Sequence, residues 1–344
     1  VKTAAQEWPK AGLRAIDLER GGRTASVIAM AIANELVNGG TELEVGLSAD
    51  GERTTLVSLR EDIPEANSPI NAQSVVVASG GARGVTAATL IALARATKCR
   101  IVLLGRTALA DEPACCVGKN TDADLKRALL DDARARGAAI TPASLGAEVA
   151  KVLANREVRE NVQAIRAAGG DALYVAADVQ DADALRATLA DVRAKWGPIT
   201  AIVHGAGVLA DRFITDKTEE QFDRVFDTKI AGLRVLLAAT REDPIDTMCF
   251  FSSVAARSGN QGQCDYAMAN EVLNKVAASE RARRGGNVVV KSLGWGPWAG
   301  GMVTPQLKAR FEALGVPLIP LDVGADMLVR ELTFARPDDV EMCM

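Results

Sequence analysis

From Ser74 onward, short runs of β-branched and other apolar residues alternate with longer segments of helical character, and this alternation constrains the fold most strongly. Strands that are apolar at nearly every position are buried on both faces, which is typical of parallel sheets covered by helices. The sequence therefore predicts an α/β fold, with a doubly wound parallel sheet and helices on both faces. The predicted strands are residues 75–78, 101–104, 172–176, 199–204, 247–251 and 288–293.

Residues 1–70 are predicted to form a smaller α/β unit. Apolar residues recur at helical spacing over 24–36, and Gly39-Gly40 ends that helix. Two strand-like runs, 43–47 and 54–59, flank an Asp50-Gly51 turn, and 64–69 has the composition of a linker. This unit is too short to be a complete nucleotide-binding fold, so the large sheet belongs to residues 71–344.

The connection between the second and third strands of the large sheet is much longer than one crossover helix requires. It runs from 107 to 170 and contains two helical stretches, 122–136 and 143–168. We therefore predict an inserted helical hairpin at 107–170.

Composition and charge exclude several classes of protein. The net charge is −4 and no dense block of Lys and Arg is present, which argues against nucleic acid as a partner. No apolar run approaches the ~20 residues that cross a bilayer, and residues 1–12 do not resemble a signal peptide. We expect a cytoplasmic protein that does not bind a membrane.

The cysteine and histidine content argues against a metal site. The six cysteines show no CxxC pair, and the chain has a single histidine. We expect inert, reduced thiols, with a redox role for the adjacent Cys115 and Cys116 as the alternative. Because the chain starts with Val and ends in a strand-like run at 340–344, we also expect a fragment of a longer protein.

A strand, a glycine-rich turn and the start of a helix follow one another at 75–86. Gly80 permits a tight turn, and Gly84 lets the backbone approach a pyrophosphate that the helix N-terminus favours. This context predicts a Rossmann-type dinucleotide site, with a bare strand–helix turn as the alternative. The predicted cofactor residues of this turn are Ser79, Gly80, Gly81, Arg83, Gly84 and Val85.

The residue that ends the second strand decides which dinucleotide fits. An acidic residue there would bind the ribose 2′-hydroxyl and repel a 2′-phosphate. This chain has Arg106 instead, and Arg106 and Arg83 both offer fork-shaped donors to a phosphate. The sequence therefore favours NADPH, with solvated surface charges as the alternative.

Two further strand ends supply candidate cofactor residues. Asp178 could accept a hydrogen bond from the adenine amino group beside the Val179 backbone, or it could cap a helix instead. The fourth strand ends in His204-Gly205-Ala206-Gly207, where small residues leave room for a ribose. We expect His204 to position its neighbours rather than to act in catalysis.

Hydride reduction of a carbonyl needs a proton donor, and the residues around Tyr266 suit that role. Ser253 lies thirteen positions upstream, after an apolar strand, and Asn270 lies one helical turn beyond Tyr266. Lys229 supplies a cation, whereas Lys275 is out of phase with Tyr266 and should face solvent. Tyr174, inside a strand, is expected to be a core or rim residue.

The glycine turn, Ser253 and Tyr266 resemble the short-chain dehydrogenase/reductase superfamily. Its usual members have Tyr-x-x-x-Lys, whereas this chain has Tyr-x-x-x-Asn with Lys229 on a separate segment. That exchange resembles the ketoreductase domains of modular polyketide synthases, as do residues 204–209 and 250–270. The glycine turn and the long insertion most resemble the ketoreductase of polyunsaturated fatty acid synthases. The likeness covers 74–300 in detail and 20–344 in outline.

This resemblance implies a fold and an activity. Residues 1–70 would be the C-terminal part of a truncated Rossmann-like structural subdomain, and 71–344 the catalytic NADPH-binding domain. The activity would be reduction of a 3-oxoacyl thioester on an acyl carrier protein, with Lys229, Ser253, Tyr266 and Asn270 as catalytic residues. Neighbouring ketosynthase and dehydratase domains would be partners. A free-standing carbonyl reductase and an inactive nucleotide-binding scaffold are the alternatives.

The same resemblance implies where the substrate lies. Of the two Asp residues in the Leu-Asp-Asp motif that marks B-type ketoreductases, only the second is present, in Leu209-Ala210-Asp211, with a loop-capping role for Asp211 as the alternative. Ser258 stands where A-type domains carry Trp, and both residues imply a 3R product. Pro297 would shape the backbone beside the nicotinamide, and Met302 would begin a mobile lid. Thr86 departs from the superfamily, which commonly has a third glycine at that position.

Overall fold

The large sheet of the computed structural model places the carboxyl ends of its parallel strands along one edge. The structure describes residues 1–60, 68–286, 288–301, 303, 305–313, 315–334, 336 and 338–344. The strands are β1 (Ala15–Leu18), β2 (Glu44–Leu47), β3 (Arg53–Thr54), β4 (Val75–Ser79), β5 (Arg100–Gly105), β6 (Asp171–Ala176), β7 (Ala201–His204), β8 (Thr247–Ser253), β9 (Val289–Trp295) and β10 (Glu341–Cys343). The helices are α1 (Lys2–Glu7), α2 (Ala25–Asn38), α3 (Gly84–Thr97), α4 (Asp122–Ala135), α5 (Pro142–Ala167), α6 (Ala182–Trp196), α7 (Glu219–Ala239), α8 (Ala255–Ser258), α9 (Cys264–Arg284), α10 (Pro305–Ala313) and α11 (Leu321–Thr333).

Within the described ranges, strands β4 to β10 form one parallel sheet in the order β10-β9-β8-β7-β4-β5-β6. The chain runs outward from β4 to β5 and β6, then returns to build β7 to β10 on the other side. The strand order therefore reverses between β4 and β7, and in open α/β sheets the ligand crevice lies at such a point, beyond the carboxyl ends of the strands. The predicted doubly wound α/β fold is confirmed.

Alternate residues of the central strands point into two separate cores, one on each face of the sheet. Val76 and Ala78 of β4 contribute to the core beneath α3, α5 and α11, whereas Val75 and Val77 contribute to the core beneath α6, α7 and α9. Both faces are thus covered by helices, which explains why the strand sequences are apolar at successive positions.

The small N-terminal sheet has the order β1-β2-β3, with β1 parallel and β3 antiparallel to β2. The sequence predicted α2 and β2 but not α1 or β1. The strand predicted over 54–59 is wrong beyond Thr54, because β3 pairs with β2 over two residues only. Leu56, Val57 and Leu59 are exposed instead. Part of the predicted linker at 64–69 lies outside the described residues.

The segment 107–170 holds the two predicted helices, α4 and α5. They pack together through a local apolar cluster in which Leu125 and Leu129 of α4 meet Val149 and Val152 of α5. The C-terminal half of α5 packs on the large sheet instead, because Val158 and Ile165 are buried in the same core as its strands. That half is the crossover helix between β5 and β6, so only the part before it is additional to the fold.

Candidate functional site

The glycine turn lies at the point where the strand order reverses. Gly80 and Gly84 adopt left-handed backbone angles, with φ of 66° and 60°. A Cβ on Gly80 would lie 2.8 Å from the backbone of Ala206, so the ends of β4 and β7 approach too closely for a side chain. Gly81 is packed beneath the turn, where a Cβ would lie 2.7 Å from Leu90. A Cβ on Gly301 would lie 2.9 Å from the Val85 side chain, so Val85 also limits that position to glycine.

Thr86 stands where the superfamily commonly has a third glycine, and it fits because the residue opposite it, Gly205, has no side chain. A Cβ on Gly205 would lie 2.7 Å from the Thr86 hydroxyl oxygen, so this side chain occupies space that a residue other than glycine would need. Gly207 faces Lys229 in a similar way, since a Cβ there would lie 3.1 Å from the lysine Cε. Packing therefore explains both glycines in the run after β7, because Thr86 excludes a side chain at Gly205 and Lys229 excludes one at Gly207.

His204 joins the glycine turn to helix α7. Its Nε2 lies 2.9 Å from the carbonyl oxygen of Lys229, so Nε2–H donates, and Nδ1 accepts from the Ser79 hydroxyl at 2.7 Å. Burial, assisted by the charge of Lys229, lowers the pKa of His204 to about 3. The imidazole is therefore neutral at physiological pH and links the end of β4 to helix α7. The Ser79 hydroxyl is engaged in the same link.

The structure brings Lys229, Ser253, Tyr266 and Asn270 together beside this crevice. The Lys229 ammonium lies 5.6 Å from the centre of the Tyr266 ring and donates to the Phe251 carbonyl at 2.8 Å. Ser253 ends β8, and Tyr266 and Asn270 share the first turns of α9. Lys275 is exposed, as predicted, and it pairs with Glu271 at 3.1 Å.

Burial divides these four residues into two layers. Ser253 and Tyr266 are partly exposed, whereas Lys229 and Asn270 are only 3% and 0% exposed. Asn270 donates to the Tyr266 carbonyl at 2.8 Å, while its own Oδ1 is buried with no partner among the described residues. Ser253 and Tyr266 thus form a partly exposed layer, and Asn270 and Lys229 form a buried one.

Two pKa shifts suit this arrangement to proton donation. Burial raises the pKa of Tyr266, an effect that the Ser253 and Asn270 side chains partly offset. Burial lowers the pKa of Lys229 to about 8. At neutral pH the phenol therefore keeps its proton and the amine is mostly charged, so a donor and a cation stand side by side.

The remaining predicted cofactor residues lie around the same edge of the sheet. Arg106 follows β5, is exposed, and makes no hydrogen bond or ion pair within the described part of the chain. Asp178 follows β6 and accepts from the Gln180 amide at 3.0 Å. Asp181 caps helix α6, so the alternative role of Asp178 as the helix cap is wrong. Val179 is buried against Gly232.

On the other side of the crevice, the loop after β7 carries the predicted substrate residues. Leu209 accepts a hydrogen bond from Arg224 through its carbonyl, and the exposed Asp211 accepts from Gln263 at 3.0 Å. The Pro297 carbonyl accepts from Ile319. The predicted lid residue Met302 lies outside the described residues.

Sequence reasoning missed a buried ion pair next to Tyr266. Lys217 and Asp265 lie 2.7 Å apart with side chains only 4% and 2% exposed. Lys217 also donates to the Ala210 carbonyl at 2.8 Å, and Asp265 accepts from the Tyr266 amide at 2.8 Å. The pair therefore fixes the loop that carries Asp211 against the start of α9. Its only sequence signal is a charged residue immediately before the tyrosine.

Glu7 of helix α1 was also missed. Its two carboxylate oxygens accept from the amides of Ile214 at 2.7 Å and Gly262 at 2.8 Å, one on each loop beside the site. Those loops also bond directly, since the Arg212 amide donates to the Gly262 carbonyl at 2.9 Å. No local pattern predicts this contact, because more than 200 residues separate its partners.

Comparison with known sequences identifies the family. The sequence model of the KR domain family matches residues 74–300, which is the span of the large sheet from β4 to β9. The chain belongs to the KR domain family. KR domains are ketoreductases, a group of oxidoreductases within the short-chain dehydrogenase/reductase superfamily that uses a nicotinamide cofactor. The resemblance drawn from the sequence is confirmed.

The relatives of this KR domain are parts of much larger proteins. A polyunsaturated fatty acid synthase subunit from Thraustochytrium sp. is 37% identical over 350 residues, which cover 98% of this chain and 12% of that protein. The polyketide synthase PksL of Bacillus subtilis is 32% identical over 187 residues, covering 52% of the chain and 4% of that protein. The KR domain therefore spans a small fraction of the relatives it matches.

Solved structures share the fold of this KR domain across its whole length. A ketoreductase domain from the bacillaene assembly line has a TM-score of 0.70 at 24% identity, covering 99% of this chain and 71% of that one. A structure of A-type ketoreductases from a modular polyketide synthase has a TM-score of 0.73 at 23% identity, covering 99% of this chain and 62% of that one. At these identities the likeness shows the fold alone.

In this KR domain, none of the described helices has the length and apolar character needed to cross a membrane. All six cysteines are described, and all are free thiols. Among the described residues, no group of three or more His, Cys, Asp or Glu side chains is placed to hold a metal ion.

Proposed function

We propose that this KR domain reduces a 3-oxoacyl group on an acyl carrier protein to the (3R)-3-hydroxyacyl group, using NADPH, within a polyunsaturated fatty acid or polyketide synthase. The observation that carries the proposal is the convergence of Lys229, Ser253, Tyr266 and Asn270 beside the glycine turn, from three chain segments. An inactive scaffold would have no reason to keep a buried ammonium 5.6 Å from a phenol ring, with no carboxylate partner in the described part of the chain.

The crevice between β4 and β7 fits a dinucleotide. Its turn has left-handed glycines at positions 80 and 84 and leads into the N-terminus of α3, where the helix dipole favours a phosphate. A nicotinamide cofactor supplies a hydride when bound. The residues proposed to hold it are Ser79, Gly80, Gly81, Arg83, Gly84, Val85, Arg106, Asp178, Val179, His204, Gly205, Ala206, Gly207 and Pro297. Ser79 and His204 would act by fixing the turn, since each satisfies the other.

Side chains of this domain supply the proton that the carbonyl oxygen takes up during the reduction. Tyr266 donates its phenolic proton to the carbonyl oxygen, and the Ser253 hydroxyl donates a hydrogen bond to the same oxygen. The Lys229 ammonium stabilises the phenolate that forms. The buried Oδ1 of Asn270, which lacks a partner among the described residues, is available to accept a hydrogen bond from water that returns the proton.

The substrate side of the proposal depends on the loop after β7. Leu209 and Asp211 would direct the acyl group so that the 3R alcohol forms. The carrier protein and neighbouring ketosynthase and dehydratase domains are the proposed partners, which the large synthases among the relatives support. We also propose a reducing, cytoplasmic location.

A direct assay tests the proposal. Purified chain, NADPH and a 3-oxoacyl thioester should give cofactor oxidation at 340 nm, and chiral chromatography should show the 3R alcohol. A 3S product would contradict the assignment for Asp211 while leaving the reduction intact. Cofactor binding without turnover of any 3-oxoacyl thioester would instead favour an inactive scaffold.

Arg106 should decide the preference for NADPH over NADH. Removing a charge-assisted contact to a 2′-phosphate costs about 1.5–3 kcal/mol, so Arg106→Ala should raise KM for NADPH about tenfold or more. KM for NADH should stay within about twofold, because NADH lacks that phosphate. Initial rates with both cofactors measure this, and Arg127→Ala, exposed on α4, is the matched control.

Replacing Glu7 should change KM for the substrate but not the Kd for the cofactor. Glu7→Ala removes both carboxylate bonds that hold the loops at 214 and 262. We expect KM for the 3-oxoacyl thioester to rise about fivefold or more, since each bond to a charged group contributes about 1.5–3 kcal/mol. The Kd for NADPH should not change. Glu19→Ala, which loses a carboxylate bond to Ala49 within the small unit, should leave both constants unchanged.

A further inference from the structure

Helix α5 places a carboxylate on the glycine turn. One oxygen of Glu157 accepts from the backbone amide of Gly84 at 2.9 Å, and the other accepts from the Arg83 guanidinium at 2.7 Å. Gly84 opens α3, where the first amides have no partner within the helix. A single anionic side chain thus engages a backbone donor and a cationic donor of the turn together.

Helix α5, which carries the Glu157 carboxylate, is held in place by its own contacts. Asn161, one turn beyond Glu157 on the same face of α5, donates to the Ala82 carbonyl at 2.9 Å. Between them, Val158 is fully buried in the core of the large sheet, as is Ile165 further along. The helix therefore contacts the turn at Ala82, Arg83 and Gly84, and the position of Glu157 is set by the packing of α5.

A carboxylate on these donors makes the same contacts that a phosphate oxygen would make. The helix N-terminus and the guanidinium both favour an anion. A cofactor phosphate entering the turn must displace the Glu157 carboxylate from these donors or lie close to its negative charge. Either outcome lowers the affinity for the phosphate.

We propose that Glu157 is a specificity-determining residue that weakens binding of the dinucleotide, and most strongly that of the 2′-phosphorylated form through Arg83. This inference rests on the proposed function, because it takes the glycine turn to be the nicotinamide cofactor site. The side chains of Glu157 and Arg83 are 38% and 51% exposed, so solvent screens their interaction and the effect is moderate.

The variant Glu157→Gln tests the charge while keeping the shape. Its amide oxygen can still accept from Gly84, so the turn keeps that bond. Titration calorimetry should show Kd for NADP⁺ about three- to fivefold lower than in wild type, with a smaller change for NAD⁺. The gain should shrink at high salt, because salt screens the charge. Thermal unfolding confirms that the variant is folded.

Glu160→Gln is the matched control, since Glu160 is exposed on the same helix and the net charge changes equally. It should leave Kd for NADP⁺ at the wild-type value. An unchanged or higher Kd in Glu157→Gln would overturn the inference and mean that Glu157 only organises the turn. If wild type binds neither NADP⁺ nor NAD⁺, the proposed function fails first and the inference fails with it.

Discussion

The Tyr266→Phe variant should lose about 10²–10⁴-fold in kcat for 3-oxoacyl reduction while remaining folded and binding NADPH normally. The phenol is the acidic group proposed to protonate the product oxygen, and burial raises its pKa so that it keeps its proton at neutral pH. Phenylalanine has the same shape but no proton to give. Steady-state kinetics, cofactor titration and thermal unfolding together separate this chemical loss from a structural one.

Tyr174 provides the control, because it is the other of the two tyrosines in the chain. Its hydroxyl donates to the Thr107 carbonyl at 2.7 Å, next to the proposed cofactor residue Arg106, but Tyr174 lies on β6, four strands away from β8 and the proposed catalytic residues. Tyr174→Phe should cost about 0.5–1.5 kcal/mol of stability from the lost hydrogen bond and leave kcat unchanged. Equal kcat values for the Tyr266→Phe variant and wild type would refute Tyr266 as the proton donor.

The Lys229→Met variant should lose at least about 10²-fold in kcat without a matching loss of stability. Lys229 is 3% exposed and its pKa falls from 10.5 to about 8, which corresponds to ~3 kcal/mol spent on keeping the ammonium buried at neutral pH. Methionine removes that cost but leaves the Phe251 carbonyl without its donor, which costs about 1–3 kcal/mol. We therefore expect a free energy of unfolding close to that of wild type.

Lys291 supplies the contrasting control for Lys229. It is 1% exposed and pairs with the buried Glu331 at 3.5 Å, on the strand and helix away from the site. Lys291→Met leaves the partner carboxylate uncompensated and should cost about 3–5 kcal/mol, with kinetic constants preserved in the folded fraction. If Lys229→Met behaves in the same way, the role of Lys229 is structural and the proposed function of the ammonium is wrong.

The lowered pKa of Lys229 sets the direction in which stability and activity change with pH. Between about pH 8 and 10.5 the unfolded chain binds more protons at Lys229 than the folded chain, so this contribution to stability rises with pH. Below about pH 8 both states are protonated and the burial cost is present in full. Activity that depends on the ammonium should fall as pH rises past about 8, opposite to the stability term.

Much of the fold could be predicted because it depends on local patterns. Successive apolar residues in β4 and β5 fill two cores at once, and that double burial gives the sequence its apolar runs. The tyrosine and asparagine of the site are one helical turn apart, so helix geometry alone places them together. The prediction of a strand over 54–59 is wrong beyond Thr54, because an apolar run forms a strand only where a neighbouring strand lies beside it to accept and donate hydrogen bonds.

The sequence by itself determined the doubly wound sheet, the glycine turn, the pairing of Tyr266 with Asn270 and the family. These depend on spacing along the chain and on residue type. Only the tertiary structure decided that His204 links the glycine turn to α7, that Glu7 and Lys217 hold the loops beside Tyr266, and that Glu157 lies on the Gly84 amide. Each of these contacts joins residues far apart in sequence, and a hydrogen bond or ion pair between such residues leaves no periodic pattern to detect. It exists because packing of the strands and helices brings the two groups within about 3 Å.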